Sequence, residues 1–205
     1  MKRYRVHHAR ISAGSGPDWS AAELLTDFTF PWEESPPPST EFRALWNEDR
    51  LHFRFDCVDE DLVLGVGDTS RQRVLDSDRV EIFLTPELAL NPYYGFEMAP
   101  SGEVLAYRAR HYRQFDRDWT CGGLDFSARH GERRYTVEGT FAMETLRALD
   151  VLKPGARELF AGVYRAEFSR NPDGSIHQGW MPWVNPRTER PDFHVPESFG
   201  TFELV

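Results

Sequence analysis

Two cysteines in 205 residues are too few for a disulfide framework. Cys57 continues the alternation of Leu51, Phe53 and Phe55, which predicts a small buried apolar residue. Cys121 precedes Gly122-Gly123 in a turn, and the pair reads as two free thiols. A chain of this length buries roughly 70% of its unfolded surface, enough for a core without staples. No apolar run approaches the ~20 residues of a spanning helix, and VHHARISAG lacks the hydrophobic centre of a secretory leader. The expected location is the cytoplasm, or outside the cell if a leader has been removed. Positive charge is in deficit: 24 Lys and Arg stand against 33 Asp and Glu, a net charge of −9. Nucleic acid and anionic membrane are therefore excluded as expected partners. The basic runs MKRYR and GERRY are short and read as solvated charge. The chain has no G-x-S-x-G, H-E-x-x-H or C-x-x-C, and Gly65-Val-Gly67-Asp68 lacks the third glycine and following helix of a nucleotide loop.

Aromatics are plentiful at 14%, with six Trp and fifteen Phe. They fall in short period-2 segments, clearest in Leu51-x-Phe53-x-Phe55-x-Cys57 and Tyr135-x-Val137-x-Gly139-x-Phe141. Strands are predicted near Arg3–Ile11, Glu41–Trp46, Leu51–Val58, Arg79–Thr85, Tyr93–Ala99, Glu103–Arg110, Asp125–His130, Arg134–Phe141, Leu159–Phe168, Gly179–Pro182 and Gly200–Leu204. Trp46-Asn-Glu-Asp-Arg50 supplies turn residues for a tight hairpin. PWEESPPPST is a Pro-rich loop. One short helix is expected within Gly14–Thr26, capped by Asp18 or Ser20, and another in AMETLRALDVLKPG before Pro154. Many short strands joined by turns make the expected fold all-β: one antiparallel β-sandwich, jelly-roll or immunoglobulin-like, over residues 1–205 with one or two short helices.

Two neighbouring strands each carry a carboxylate against the apolar rhythm. In Asp78-Arg-Val-Glu-Ile-Phe-Leu-Thr85, Val80, Ile82 and Leu84 share one face and Glu81 takes the other. In Tyr93-Tyr-Gly-Phe-Glu-Met98, Tyr94, Phe96 and Met98 share a face and Glu97 opposes them. Strand interiors are poor places for glutamate. The pattern describes either a solvated outer face or a polar site on a rigid sheet.

The ordered segments FRALWNEDRLHFRFDCVDEDL, DSDRVEIFLTP, YYGFEMAPSGEVLAYR, YTVEGTFAMETL and PDFHVPESFGTFEL resemble the family 9 carbohydrate-binding module in its broad, family-9-like form, from about Phe42 onward. That resemblance implies noncatalytic binding of a mono- or oligosaccharide. It also implies structural calcium. In the family two tryptophans clamp the terminal sugar, and their positions fall here on Leu75 and Phe193. The family's hydrogen-bonding glutamate matches Glu81, while an arginine on the next strand is replaced by Glu97.

Sugar recognition needs aromatic faces beside convergent charged groups. The candidates are Glu81 and Glu97, with Arg54, Arg108 and Arg165 to relieve their repulsion, and Trp183, Phe193 and His194 as an aromatic wall, Trp180 being assigned to the core. Such a network suits hydroxyls or a uronate carboxylate. No cofactor is required on this reading, although Asp59, Asp61, Asp76 and Asp78 are hard oxygen ligands of the kind calcium takes. Two alternatives stand beside it. One is a small glycan-active enzyme using Glu81 and Glu97 as paired carboxylates. The other is a protein-interaction sandwich that has lost sugar binding. Oligomeric state is left open by the sequence.

Overall fold

The computed structural model describes residues 1–11 and 16–205. Its strands are β1 (Arg3–His8), β2 (Thr40–Trp46), β3 (Arg50–Val58), β4 (Arg79–Thr85), β5 (Tyr93–Met98), β6 (Val104–Arg110), β7 (Gln114–Asp116), β8 (Leu124–Gly131), β9 (Arg134–Ala142), β10 (Glu158–Arg170), β11 (Ile176–Pro182) and β12 (Gly200–Leu204). Among the described residues there are also two six-residue helices, α1 (Ser70–Leu75) and α2 (Met143–Ala148), and two single 3₁₀ turns. The all-β expectation is met. β7 and α1 were not anticipated; the three residues of β7 are too few for a periodic pattern. The helix expected within Gly14–Thr26 is a 3₁₀ turn, Trp19–Ala21, capped by Asp18; Gly14 and Ser15 lie outside the described residues. No described helix is long and apolar enough to cross a membrane.

The strands form one continuous sheet in the order β7-β6-β5-β4-β10-β12-β1-β2-β3-β9-β8, with β11 also paired to β10. The expectation of purely antiparallel pairing fails at β1. Its first residues run parallel to β12 and its last two run parallel to β2. That strand is where the sheet curls. A curl brings the two halves face to face, so β4 and β5 share one hydrophobic cluster with β3 and β9. Phe96 of β5 meets Phe141 of β9 edge-on at 4.9 Å, a direct contact across the two halves. Burying one such ring contributes roughly 1.5–3 kcal/mol. Cys57 lies in this cluster, and both cysteines are free.

The outer face of the β4–β5–β6–β10 half is not wet. Phe83, Tyr93, Tyr107 and Tyr164 pack there beneath Phe193 and Phe199, which come from the segment joining β11 to β12. Every residue of β4 and β5 is consequently buried. Glu81 and Glu97 therefore stand on a covered face.

Candidate functional site

The β4–β5 register sets Glu81 directly across from Glu97. Arg79, two residues before Glu81, shares its face by strand alternation. Its Nε lies 3.0 Å from Glu81 Oε1 and 2.8 Å from Glu97 Oε2, donating a hydrogen bond to the latter. The three side chains are almost wholly buried, Glu81 at 2%, Glu97 at 6% and Arg79 at 3% exposed. Arg79 also donates from Nη1 to the carbonyls of Leu75 and Ser77, and lies over the rings of Trp180 and Phe168 at 5.3 and 5.7 Å. One guanidinium thus serves two carboxylates. Burial and the neighbouring charge of Glu97 push the Glu81 carboxyl well above the usual carboxylate range, against the pull of Arg79.

Glu81 Oε1 is met only by the ion pair with Arg79, and the Tyr107 hydroxyl is buried without a hydrogen-bond partner. Unmet buried polar atoms are costly, and such atoms at a cavity floor point to a ligand that carries donors and acceptors. Tyr107 reaches this place because Gly95 on β5 lies beneath its ring. A Cβ at Gly95 would fall 2.3 Å from the ring and 2.5 Å from the hydroxyl.

Above this floor opens a pocket of about 380 Å³, in the range of small-molecule clefts, roughly 300–1,000 Å³. Trp180 and Phe193 form an aromatic wall, with Phe193 stacked on Tyr164 at 4.2 Å and Trp180 edge-on to Phe193 at 5.9 Å. Arg71 and Leu75 of α1 form another wall, and Arg113, Asp192 and His194 line the pocket too, with Phe115 and Pro191. Arg113 has a left-handed backbone, φ 55°, uncommon for a non-glycine residue. Its guanidinium donates to Asp192 at 2.9 Å and to the Tyr112 hydroxyl at 3.0 Å. His194 Nδ1 lies 2.8 Å from the Tyr93 hydroxyl, and burial pushes its pKa down to about 3, so the ring is neutral. The lining combines aromatic faces, fixed acceptors and guanidinium donors, the complement of a polyhydroxylated ring.

The profile of the family described as carbohydrate family 9 binding domain-like matches residues 14–205. The chain belongs to this family. No curated protein matches it. Among solved structures it is similar to a Bacteroides uniformis protein to which carbohydrate binding has been ascribed, with a TM-score of 0.79, 18% identity and coverage of 100% of this chain and 99% of the other. It is also similar to family 9 modules from Caldicellulosiruptor kristjanssonii. The complex with cellotriose has a TM-score of 0.65 and 14% identity over 99% and 93% of the two chains. The complex with glucose has a TM-score of 0.60 and 16% identity over 100% and 96%. At these identities the likeness is one of fold.

Within this family-9 fold, four of the sequence candidates are differently placed than expected, and alternation explains two of them, Arg165 and Arg108. Glu81, Glu97, Phe193 and His194 come together in the pocket. Trp183 does not; it is 2% exposed in the core, and Trp180 takes the pocket wall. Arg165 pairs in register with Val80 and so shares the core face, where it is fully buried among Thr40, Asp59 and Glu167. Arg108 pairs with Tyr94, again the core-side parity, and bonds Asp116 at the sheet edge. Arg54 belongs to β3 in the other half of the sheet and grips Asp56 with two hydrogen bonds of 2.7 and 2.8 Å. Arg71, Arg79 and Arg113 were missed as pocket cations. Arg79 was legible, because position i−2 from Glu81 in one strand must share its face.

The four acidic metal candidates do not converge. Asp61 pairs with Arg170, and Asp76 accepts from Gln72 Nε2. Asp59 and Asp78 meet Glu167, with carboxylate oxygens within 4.8 Å of one another. Asp78 already accepts from the Val63 and Phe168 amides, both at 2.6 Å. The guanidinium of Arg165 lies 3.3 Å from Asp59 and is ion-paired with Glu167. Calcium takes six to eight oxygens, whereas this cluster offers three carboxylates, two of them already set against the Arg165 guanidinium. These residues do not fit the ion.

Proposed function

We propose that this chain is a noncatalytic carbohydrate-binding domain, one unit over residues 1–205, which holds one or two sugar rings in the Glu81–Glu97 pocket. The observation that carries the reading is the floor: two glutamates sharing one arginine, with the Tyr107 hydroxyl left without a hydrogen-bond partner beneath aromatic walls. Sugar hydroxyls both donate and accept, so they would meet these atoms at once. Trp180 would stack on the C–H face of a pyranose. Family membership and the glucose and cellotriose complexes of fold neighbours support the same ligand class. The face-to-face packing of the two sheet halves through Phe96 and Phe141 supports reading the curled sheet as the sandwich of such modules.

The rival reading as a glycosidase is less well served. Its two carboxyls must act on the scissile bond in different roles, yet Glu81 and Glu97 are held side by side by one nitrogen on the pocket floor. Binding needs only that they stay where they are.

Isothermal titration with a panel of neutral and acidic sugars tests the proposal. Saturable binding that Glu81→Gln weakens at least about tenfold supports it. A flat response across the panel sinks it and moves the protein-interaction reading to first place. Repeating the titration with a chelator is expected to give the same affinity.

A further inference from the structure

Three arginines line the pocket, and their partners differ. Arg79 is matched by Glu81 and Glu97. Arg113 is matched by Asp192. Arg71 lines the pocket half-buried and makes no ion pair with any described residue. Its position is not a default of the helix that carries it. Two residues on, Arg73 turns to the other side of α1 and grips Glu103, Nη2 to Oε1 at 2.6 Å and Nε to both oxygens at 2.9 and 3.0 Å. It also donates to the Gly67 carbonyl at 2.9 Å. The same six-residue helix therefore pairs one guanidinium with a carboxylate and leaves the other facing the cavity. Leu75, one turn after Arg71, lines the same wall, so α1 presents an apolar side chain and an unmatched cation to one ligand.

A guanidinium is a planar fork that matches a carboxylate or a sulfate in a bidentate, charge-assisted way, whereas its hydrogen bonds to neutral hydroxyls lack the opposing charge and are weaker. The pocket is also concave, where a fixed charge is less screened than on an open surface. The acids in reach are already committed to other arginines.

We infer that the pocket is built for an acidic sugar, a ring bearing a carboxylate or a sulfate ester, whose hydroxyls meet the Glu81–Glu97 floor and whose anionic group pairs with Arg71. This rests on the carbohydrate reading above. It adds the ligand's charge and divides the work between the two walls. The protein's overall charge of −9 opposes an anion at long range, so selectivity would come from the short-range pair and would be lost as salt rises.

The test is a set of matched pairs measured by isothermal titration: the methyl glycosides of glucose, galactose and mannose against their uronates, and against their 6-sulfates. The acidic member of at least one pair is expected to bind about fivefold to tenfold tighter. A preference confined to uronates or to sulfates identifies which anion is held. Arg71→Gln is expected to bring the acid-to-neutral ratio to about one, Arg71→Lys to keep part of it, and higher salt to erode it in the native chain alone. Equal affinity within every pair that binds overturns the inference and leaves the carbohydrate reading standing. A preference that survives in Arg71→Gln also overturns it. Binding by no sugar of either kind overturns both.

Discussion

Glu81 of β4 faces Glu97 of β5 across the sheet, and the Nε of Arg79 stands within 3.0 Å of an oxygen from each. Removing that guanidinium leaves two buried carboxyls to repel one another. Arg79→Met is therefore expected to destabilise the fold by about 3–5 kcal/mol, read as a fall in denaturant midpoint. Glu97→Gln keeps one carboxylate on Arg79 and is expected to cost less than half as much. Equal losses in the two variants would show that the arginine acts by packing alone.

Gly95 holds the place that lets Tyr107 lie across the sheet, with the ring and hydroxyl 2.3 and 2.5 Å from where a Cβ would be. Gly95→Ala must push the ring, and the pocket floor with it. Overpacking of this kind costs about 1–3 kcal/mol, and sugar affinity is expected to fall alongside Tm. Tyr107→Phe keeps the ring and removes the unpartnered hydroxyl. It should leave stability nearly unchanged while weakening binding, and unchanged affinity would take Tyr107 out of the site.

Trp180 and Trp183 are three residues apart and have opposite fates. Trp183→Ala empties a core position and is expected to cost about 3–5 kcal/mol. Trp180→Ala removes a half-exposed wall, so its main effect is expected on binding, with a smaller loss in Tm. A calorimetric scan and a sugar titration on each variant separate the two roles. The reverse pattern would restore the assignment made from sequence.

Stability is expected to fall as pH rises from about 6.5 to 8. Burial pushes Asp78 up to about 7 and Glu167 up to about 8, and raises Glu81 and Asp59 as well. Across the window between their ordinary and folded values, the folded chain holds protons that the unfolded chain has released. Raising the pH therefore favours unfolding until those groups ionise in the fold too. His194, depressed to about 3, acts in the opposite direction, but only below its ordinary value of 6.5. Above that pH the carboxyls set the slope, joined toward pH 8.5 by the Cys57 thiol, which burial pushes up to about 11 and which acts in the same direction. Tm measured from pH 6.5 to 8.5 should decline, and less steeply in Glu167→Gln; a rising Tm over that range would contradict the assignment.

Much of the site was within reach of strand parity. Val80, Ile82 and Leu84 had to share a face, so Arg79, Glu81 and Phe83 had to share the other, and the sheet bears this out. The same rule, applied to Trp180 and Trp183, would have set them on opposite sides. Alternation along one strand depends only on backbone geometry, which is why the sequence by itself determined the all-β class, the main strands and the Glu81 and Glu97 faces. What it could not determine was which strands become neighbours and what covers each face, because both depend on contacts between residues far apart in the chain. The register that sets Glu81 against Glu97, the parallel insertion of β1, and the segment after β11 that lays Phe193 and His194 over the glutamates were decided only in the tertiary structure. That cover made a face that alternation alone leaves open to water into a desolvated pocket floor, where one arginine and two carboxyls depend on each other.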